Sequence, residues 1–305
     1  MSGPIVSAVE DAEDRLTPGA NVILCADDFA ITDGVSRGIQ ELALARRLSA
    51  TSAIVTLPGW ETNASRLRDL RGYVAIGLHI NLTLGAPLGP MPKLAPFGEL
   101  PEHPDLVRKA LTVAVPRREI AAEVGRQLER FEEGTGFSPD FIDGHQHVHA
   151  LPIVRLAVRD ALREHFDRYR PLVRDPSDGL ATILRRRTGA PKALAIALLS
   201  RGFGRHMRAA GFPTNLGFSG VSPFDMDISF QGELASFFEA PGRRHLVMCH
   251  PGYVDPALED LDPVVARRHQ ELDAMFAMPG LDRAIWHVRR RADGALVDWS
   301  EALPE

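Results

Sequence analysis

The chain has 305 residues, 45% apolar and 25% charged, with a net charge of −5 and the two signs interspersed. That is enough chain to bury a core without disulfide or metal staples, in the composition of an ordinary soluble globular protein. With no long basic run, nucleic acid is excluded as an expected partner; Arg185-Arg186-Arg187 reads as a short solvated helix face.

No stretch reaches the about eighteen apolar residues of a membrane span. Residues 1–20 lack the apolar core of a signal peptide and read as a flexible N-terminal tail. Two cysteines, Cys25 and Cys249, fit a reducing, cytoplasmic setting without a disulfide between them. Residues 21–305 read as a single domain.

Asn21–Ala26 predicts a buried strand ending on Asp27-Asp28. Asp33–Leu48 predicts a helix with Val35, Ile39, Leu42 and Leu48 near one face and Asp33 as N-cap. Thr51–Leu57 and Val74–Leu82 predict further strands, the first stopped by Pro58-Gly59. From Gly85 to Pro116, prolines and glycines recur without either period, which predicts a long excursion of the lid or binding-loop kind. Arg117–Glu133 predicts a helix ended by Gly134 and Gly136. Asp140–Gly144 predicts a strand, Ile153–Glu164 a helix and Arg170–Arg174 a weaker strand. Lys192–Ala210 and Gly232–Phe238 predict helices, Arg244–Cys249 a strand and Val264–Phe276 a helix. Alternation over about seven units predicts an α/β fold, a distorted or incomplete (β/α) barrel; an open doubly wound sheet is the alternative.

Reactive groups of parallel α/β folds collect at the carboxyl ends of strands. Here those ends carry Asp27-Asp28, His79, His145-Gln146-His147-Val148-His149 and His250. Successive side chains of a strand alternate faces, so one aspartate can bind a metal while its neighbour handles protons; capping is the alternative for either. His79 lies in the apolar run Gly77–Leu82, with Asn81 on its face to orient it. At period two, Asp143, His145, His147 and His149 share one face, which points to a metal site. Which histidines bind stays open, since the strand is expected to bend after Gly144. Pro251-Gly252 turns the chain directly after His250, a placement suited to a general acid.

His103, His165, His206, His245, His269 and His287 read as surface or structural. Arg174 reads as a substrate contact or a surface ion pair. Trp60, Phe97, Phe218 and Tyr253 are candidates to stack on a sugar ring, with core packing as the alternative. No nucleophile elbow, P-loop or dinucleotide fingerprint follows a strand, so no nucleotide cofactor is implied.

The ordered set Ala26-Asp27-Asp28-Phe29, Gly77-Leu78-His79, Asp143–His149 and Cys249-His250-Pro251-Gly252 resembles the YdjC-like carbohydrate deacetylases. That family includes the diacetylchitobiose (chitooligosaccharide) deacetylases and a hopanoid-biosynthesis-associated branch. The resemblance runs from about Asn21 to at least Tyr253. It implies the distorted barrel of polysaccharide deacetylases and removal of acetyl from an N-acetylated sugar, oligosaccharide or related glycolipid. It also implies a divalent metal ion, with Asp28, His79 and His145 as ligands, Asp27 as catalytic base and His250 as general acid.

The chain departs from the family pattern at Ala30, where glycine is usual, and at Gly144 and Gln146, where serine and a further histidine often stand. The resemblance brings in Mg2+; two imidazoles and a carboxylate suit Zn2+, Mn2+, Fe2+ or Co2+ by softness. Mg2+ and Zn2+ are the ions expected. A homodimer is expected from the commonness of such assemblies. A metal-dependent hydrolase of a non-sugar amide or ester, and a non-catalytic metal- or carbohydrate-binding protein, stay open as alternatives.

Overall fold

The computed structural model describes residues 22–112, 114–262, 264–290, 297 and 299; the predicted tail, 1–20, lies outside them. Seven strands follow in chain order: β1 (Ile23–Phe29), β2 (Ala50–Ala53), β3 (Ala75–Ile80), β4 (Phe141–Gly144), β5 (Leu172–Val173), β6 (Gly217–Ser219) and β7 (His245–Cys249). All pair in parallel in the order β5-β4-β3-β2-β1-β7-β6, giving a curled, incomplete barrel.

Both faces of the sheet are covered, which is why its strands read as unbroken apolar runs. Along β1, Leu24 and Ala26 pack outward with the helices, while Ile23 and Cys25 pack inward with Ala50, Phe141, Leu172 and Met248. Cys25 and Cys249 are buried free thiols. The gap between the edge strands is spanned without a ladder. Asn215 accepts the Asp175 N–H (2.7 Å) and donates to the carbonyls of Asp175 and Gly217 (2.8 and 2.9 Å), tying the end of β5 to β6.

The crossovers are α1 (Asp33–Leu44), α2 (Gly59–Asp69), α3 (His103–Leu111), α4 (Arg117–Thr135) and α5 (Val154–His165). Then come α6 (Leu180–Arg186), α7 (Ala190–Leu199), α8 (Phe203–Ala209), α9 (Phe230–Phe237), α10 (Pro256–Leu261), α11 (Ala266–Ala277) and α12 (Leu281–Ala284). No helix among the described residues is long and apolar enough to cross a membrane.

Several expectations change. Thr32, not Asp33, caps α1, its Oγ1 accepting the Val35 N–H at 3.3 Å. Pro58-Gly59 opens α2 instead of merely stopping a strand; a Cβ at Gly59 would collide with the Ala30 carbonyl. The single helix expected over Lys192–Ala210 is two, divided at Gly202, whose φ of 77° is left-handed. The excursion 85–116 contains α3 and is anchored: Glu123 accepts the Leu88 N–H (3.0 Å), and Glu119 accepts those of Lys93 and Leu94 (3.1 Å).

Candidate active site

β1 delivers two carboxylates to the barrel mouth through a bulge. Its register with β2 shifts between Ala26 and Phe29, and Asp28 takes φ 66°. Plain alternation would send Asp27 inward and Asp28 out among the helices. The left-handed residue turns Asp28 back to the mouth, and Asp is among the residues that tolerate this region. Ala30 follows at φ 68°. A non-glycine residue there costs roughly 1 kcal/mol, so the usual glycine at this point has a backbone reason.

Asp28 Oδ1 lies 3.2 Å from His79 Nε2 and 3.0 Å from His145 Nδ1, all three side chains buried. Ligand atoms about 2.0 Å from one ion sit roughly 3.3 Å apart in a tetrahedral set, so this trio has the spacing and chemistry of a coordination sphere. The other oxygen, Asp28 Oδ2, accepts from Arg268 Nη2 (2.6 Å), which also pairs with Asp262 (2.7 Å). Burial pushes the Asp28 carboxyl up, but the Arg268 guanidinium and the His145 imidazole outweigh it and hold the group well below its ordinary range.

His79 is oriented from behind. Its Nδ1 lies 2.6 Å from Asp143 Oδ1 and 3.0 Å from Ser52 Oγ, and Ser52 donates to Asp143 Oδ2 (2.9 Å). An Nδ1–H held by that carboxylate leaves Nε2 turned toward Asp28, the carboxylate–histidine arrangement that supports metal-binding imidazoles. Against burial, Asp143 and Asp27 push the His79 imidazole up to about 10. Asn81, expected to orient His79, instead closes a turn, accepting the N–H groups of Thr83 and Leu84.

Arg174 is neither a surface residue nor a free substrate contact. It is completely buried and forks onto Asp27, Nη1 to Oδ1 at 2.9 Å and Nη2 to Oδ2 at 2.8 Å, with Nη2 also 2.7 Å from Asp143. Burial nevertheless leaves Asp27 raised above the ordinary carboxylate value, against the pull of Arg174 and His79.

The histidines after β4 do not share one face. The strand stops at Gly144, and Gln146 (φ 50°) and His147 (φ 59°) turn the chain left-handed. His145 reaches Asp28. His147 packs edge-on against Phe218, ring centroids 5.6 Å apart. His149 lies beneath, its Nε2 2.8 Å from the Arg174 carbonyl, where it fixes the segment that carries the guanidinium.

Asp27, Asp28, His79 and His145 border a cavity of about 570 Å3, lined also by His250, His147, Phe224, Val221 and Met248. One wall is α7, through Lys192, Ala195, Ile196 and Leu199. His103, read as surface or structural, lines the cavity from the start of α3, so the excursion contributes to the site. The His250 backbone N–H donates to Glu271 (2.5 Å), its ring packs on Phe224, and burial pushes the imidazole down to about 3. The aromatics expected to stack on a sugar are elsewhere: Trp60 packs on Phe131, Tyr253 donates to Glu41, Phe218 is buried behind His147, and Phe97 is 95% exposed. Sequence reasoning missed Ser52, Phe224, Arg268 and Glu271. A serine inside the predicted strand Thr51–Leu57 was a signal for the first; no local pattern marks the others.

A family model described as YdjC-like protein matches residues 21–279. A chitooligosaccharide deacetylase of Enterobacter sp. (strain 638) is 35% identical over 152 residues, 48% of this chain and 59% of that protein's length. A carbohydrate deacetylase of Mus musculus is 32% identical over 263 residues, 79% of this chain and 81% of that protein. Among solved structures, one described as a cellobiose-phosphate cleavage protein from Enterococcus faecalis has a TM-score of 0.67 at 21% identity, covering 87% of this chain and 95% of that one. That last likeness is one of fold.

Proposed function

The chain belongs to the YdjC-like family, and from that premise we propose that it is a divalent-metal-dependent carbohydrate deacetylase. Its substrate in this reading is an N-acetylated sugar or oligosaccharide, or a related glycolipid. The observation that carries the reading is the meeting of Asp28 Oδ1 with one nitrogen each from His79 and His145, in a cavity that Asp27 and His250 also line.

Asp28, His79 and His145 would hold the ion; Mg2+ and Zn2+ are the candidates, and two imidazoles favour zinc. When bound, such an ion lowers the pKa of a water and polarises an acyl oxygen. Asp27 takes the proton of the attacking water. Burial makes it a stronger base than an exposed aspartate, and the Arg174 fork fixes where its oxygens point. Asp143 and Ser52 hold the His79 ring in its orientation. His250 is neutral at rest. Negative charge developing on the substrate as the amide carbon becomes tetrahedral raises its proton affinity, so that it takes up a proton from solvent and passes it to the leaving sugar nitrogen as the C–N bond breaks, while Asp27 returns its proton to solvent as acetate departs. The products are acetate and a free amine.

The test is acetate release from N-acetylglucosamine, diacetylchitobiose and acetylglucosamine-bearing lipids, using enzyme stripped of metal and reconstituted with Mg2+, Zn2+, Mn2+ or Co2+. Metal-restored release is expected. Phosphate release from phosphorylated sugars without acetate would move the assignment to another hydrolase. Metal binding with no turnover on any substrate would favour a binding protein.

A further inference from the structure

From residue 179 to 224 the chain carries no Asp or Glu, although such residues number 40 in the 305. The same stretch forms the α6–α7 hairpin. Helix α7, Ala190–Leu199, is apolar apart from Lys192, and none of its residues is buried. A helix apolar on all sides belongs in a core or against another apolar phase; here Ala193, Ile196 and Leu199 lean on the core, and the opposite side has no apolar cover among the described residues. The exposed side chains include Leu180 (63%), Leu184 (52%) and Leu198 (71%).

Cations frame this apolar surface. Arg185 and Arg187, before α7 in the chain, and Arg201 and Arg205, after it, are exposed and make no ion pair among the described residues. The expected solvated run Arg185-Arg186-Arg187 is in fact split in role. Arg186 is buried, paired with Asp178 (2.7 Å) and donating to the carbonyls of Phe218, Glu239 and Ala240, so it pins the hairpin to β6 while its neighbours stay outside.

We propose that the α6–α7 hairpin docks the protein on an anionic lipid bilayer, with its leucines in the interfacial layer and the flanking arginines on the acidic head groups. Exposed apolar helix and bordering cations are the two components of monotopic membrane binding, and neither alone gives stable attachment. The positive hairpin stands out from a chain of net charge −5, so the attraction is local to this face. A second copy of the chain is the poorer occupant, because a twofold contact through this face would bring the same arginines against each other. Since Lys192, Ala195, Ile196 and Leu199 form a wall of the cavity, docking sets one wall of the candidate active site at the lipid surface. The docking itself does not depend on the deacetylase reading.

The experiment is flotation of the full chain with vesicles of phosphatidylcholine, and of phosphatidylcholine mixed with phosphatidylglycerol, at low and high salt. Binding to the anionic vesicles is expected, weakened by salt and absent from pure phosphatidylcholine. The triple variant Arg185→Glu, Arg187→Glu, Arg201→Glu is expected to lose at least about tenfold in vesicle affinity. Leu184→Ser with Leu198→Ser is expected to lose a comparable factor, and both variants to keep the wild-type thermal midpoint. No flotation with anionic vesicles, or flotation unchanged in both variants, overturns the proposal. So does a dimer in sedimentation that the leucine variant dissociates while vesicles are ignored, which would make the occupant a second copy. Vesicle binding is read without turnover, so failure of the deacetylase assay and failure of docking are separate results.

Discussion

The floor of the cavity, where Asp27 and Asp143 are gripped by Arg174 and Asp28 by Arg268, is built of buried side chains. Its wall, α7, has no buried residue at all. The floor spends its buried charges on one another at 2.6–2.9 Å, which fixes the angles of the reactive side chains before any ligand arrives. The wall makes few commitments to the core and is free to adjust to what it meets. In the proposed reading, chemistry and recognition therefore rest on opposite kinds of structure, and substitutions in the two regions should be distinguishable by what they disturb.

The largest effect is expected on the floor. Arg174→Met leaves Asp27 and Asp143 buried without their shared cation and should destabilise the fold by about 3–5 kcal/mol in chemical denaturation. A loss under about 1 kcal/mol would mean that the floor is not held by its charges.

Next comes pH. Burial pushes Glu271, beneath the His250 backbone, from an ordinary 4.5 up to about 8. The folded chain then keeps a proton that the unfolded chain sheds. The contribution is complete below the unfolded value and is lost as pH rises through about 8. Glu271→Gln should therefore flatten the fall of the thermal midpoint between those two values, and an unchanged slope would remove Glu271 as its source.

A smaller change is expected at Asp143→Asn, which alters the partner of His79 Nδ1 without touching a proposed ligand. Zn2+ affinity in calorimetric titration should drop about 10- to 100-fold. The smallest stability effect belongs to the wall: Ala195→Gln should shift stability by less than about 0.5 kcal/mol. It should nevertheless change KM for an acetylated sugar with kcat little affected. A large stability loss there would erase the contrast between wall and floor.

Much of this was legible in the sequence, for identifiable reasons. Strands covered on both faces leave apolar runs, so polar residues at their ends stood out, and Asp27, Asp28, His79, His145 and His250, which the structure brings to one cavity, were singled out that way. The logic of alternation lasts only as long as the strand. It failed after Gly144, where Gln146 and His147 turn left-handed and give three neighbouring histidines three different surroundings. It would equally have misdirected Asp28 but for the bulge. β6 escaped notice because three residues, Gly217–Ser219, are too short to show a period. The roles of Arg174 and Arg268 were illegible for another reason: an arginine is ordinarily exposed, and their partners lie 147 and 240 residues away in the chain.

In the proposed reaction Asp28, His79 and His145 bind the metal while Asp27, adjacent to Asp28 in the chain, does the proton chemistry. The direct test measures metal content and acetate release side by side for Asp27→Asn and His145→Ala. Asp27→Asn should keep its metal and lose turnover, and His145→Ala should lose both. Metal lost from Asp27→Asn, or retained in full by His145→Ala, would contradict the division of roles on which the account depends.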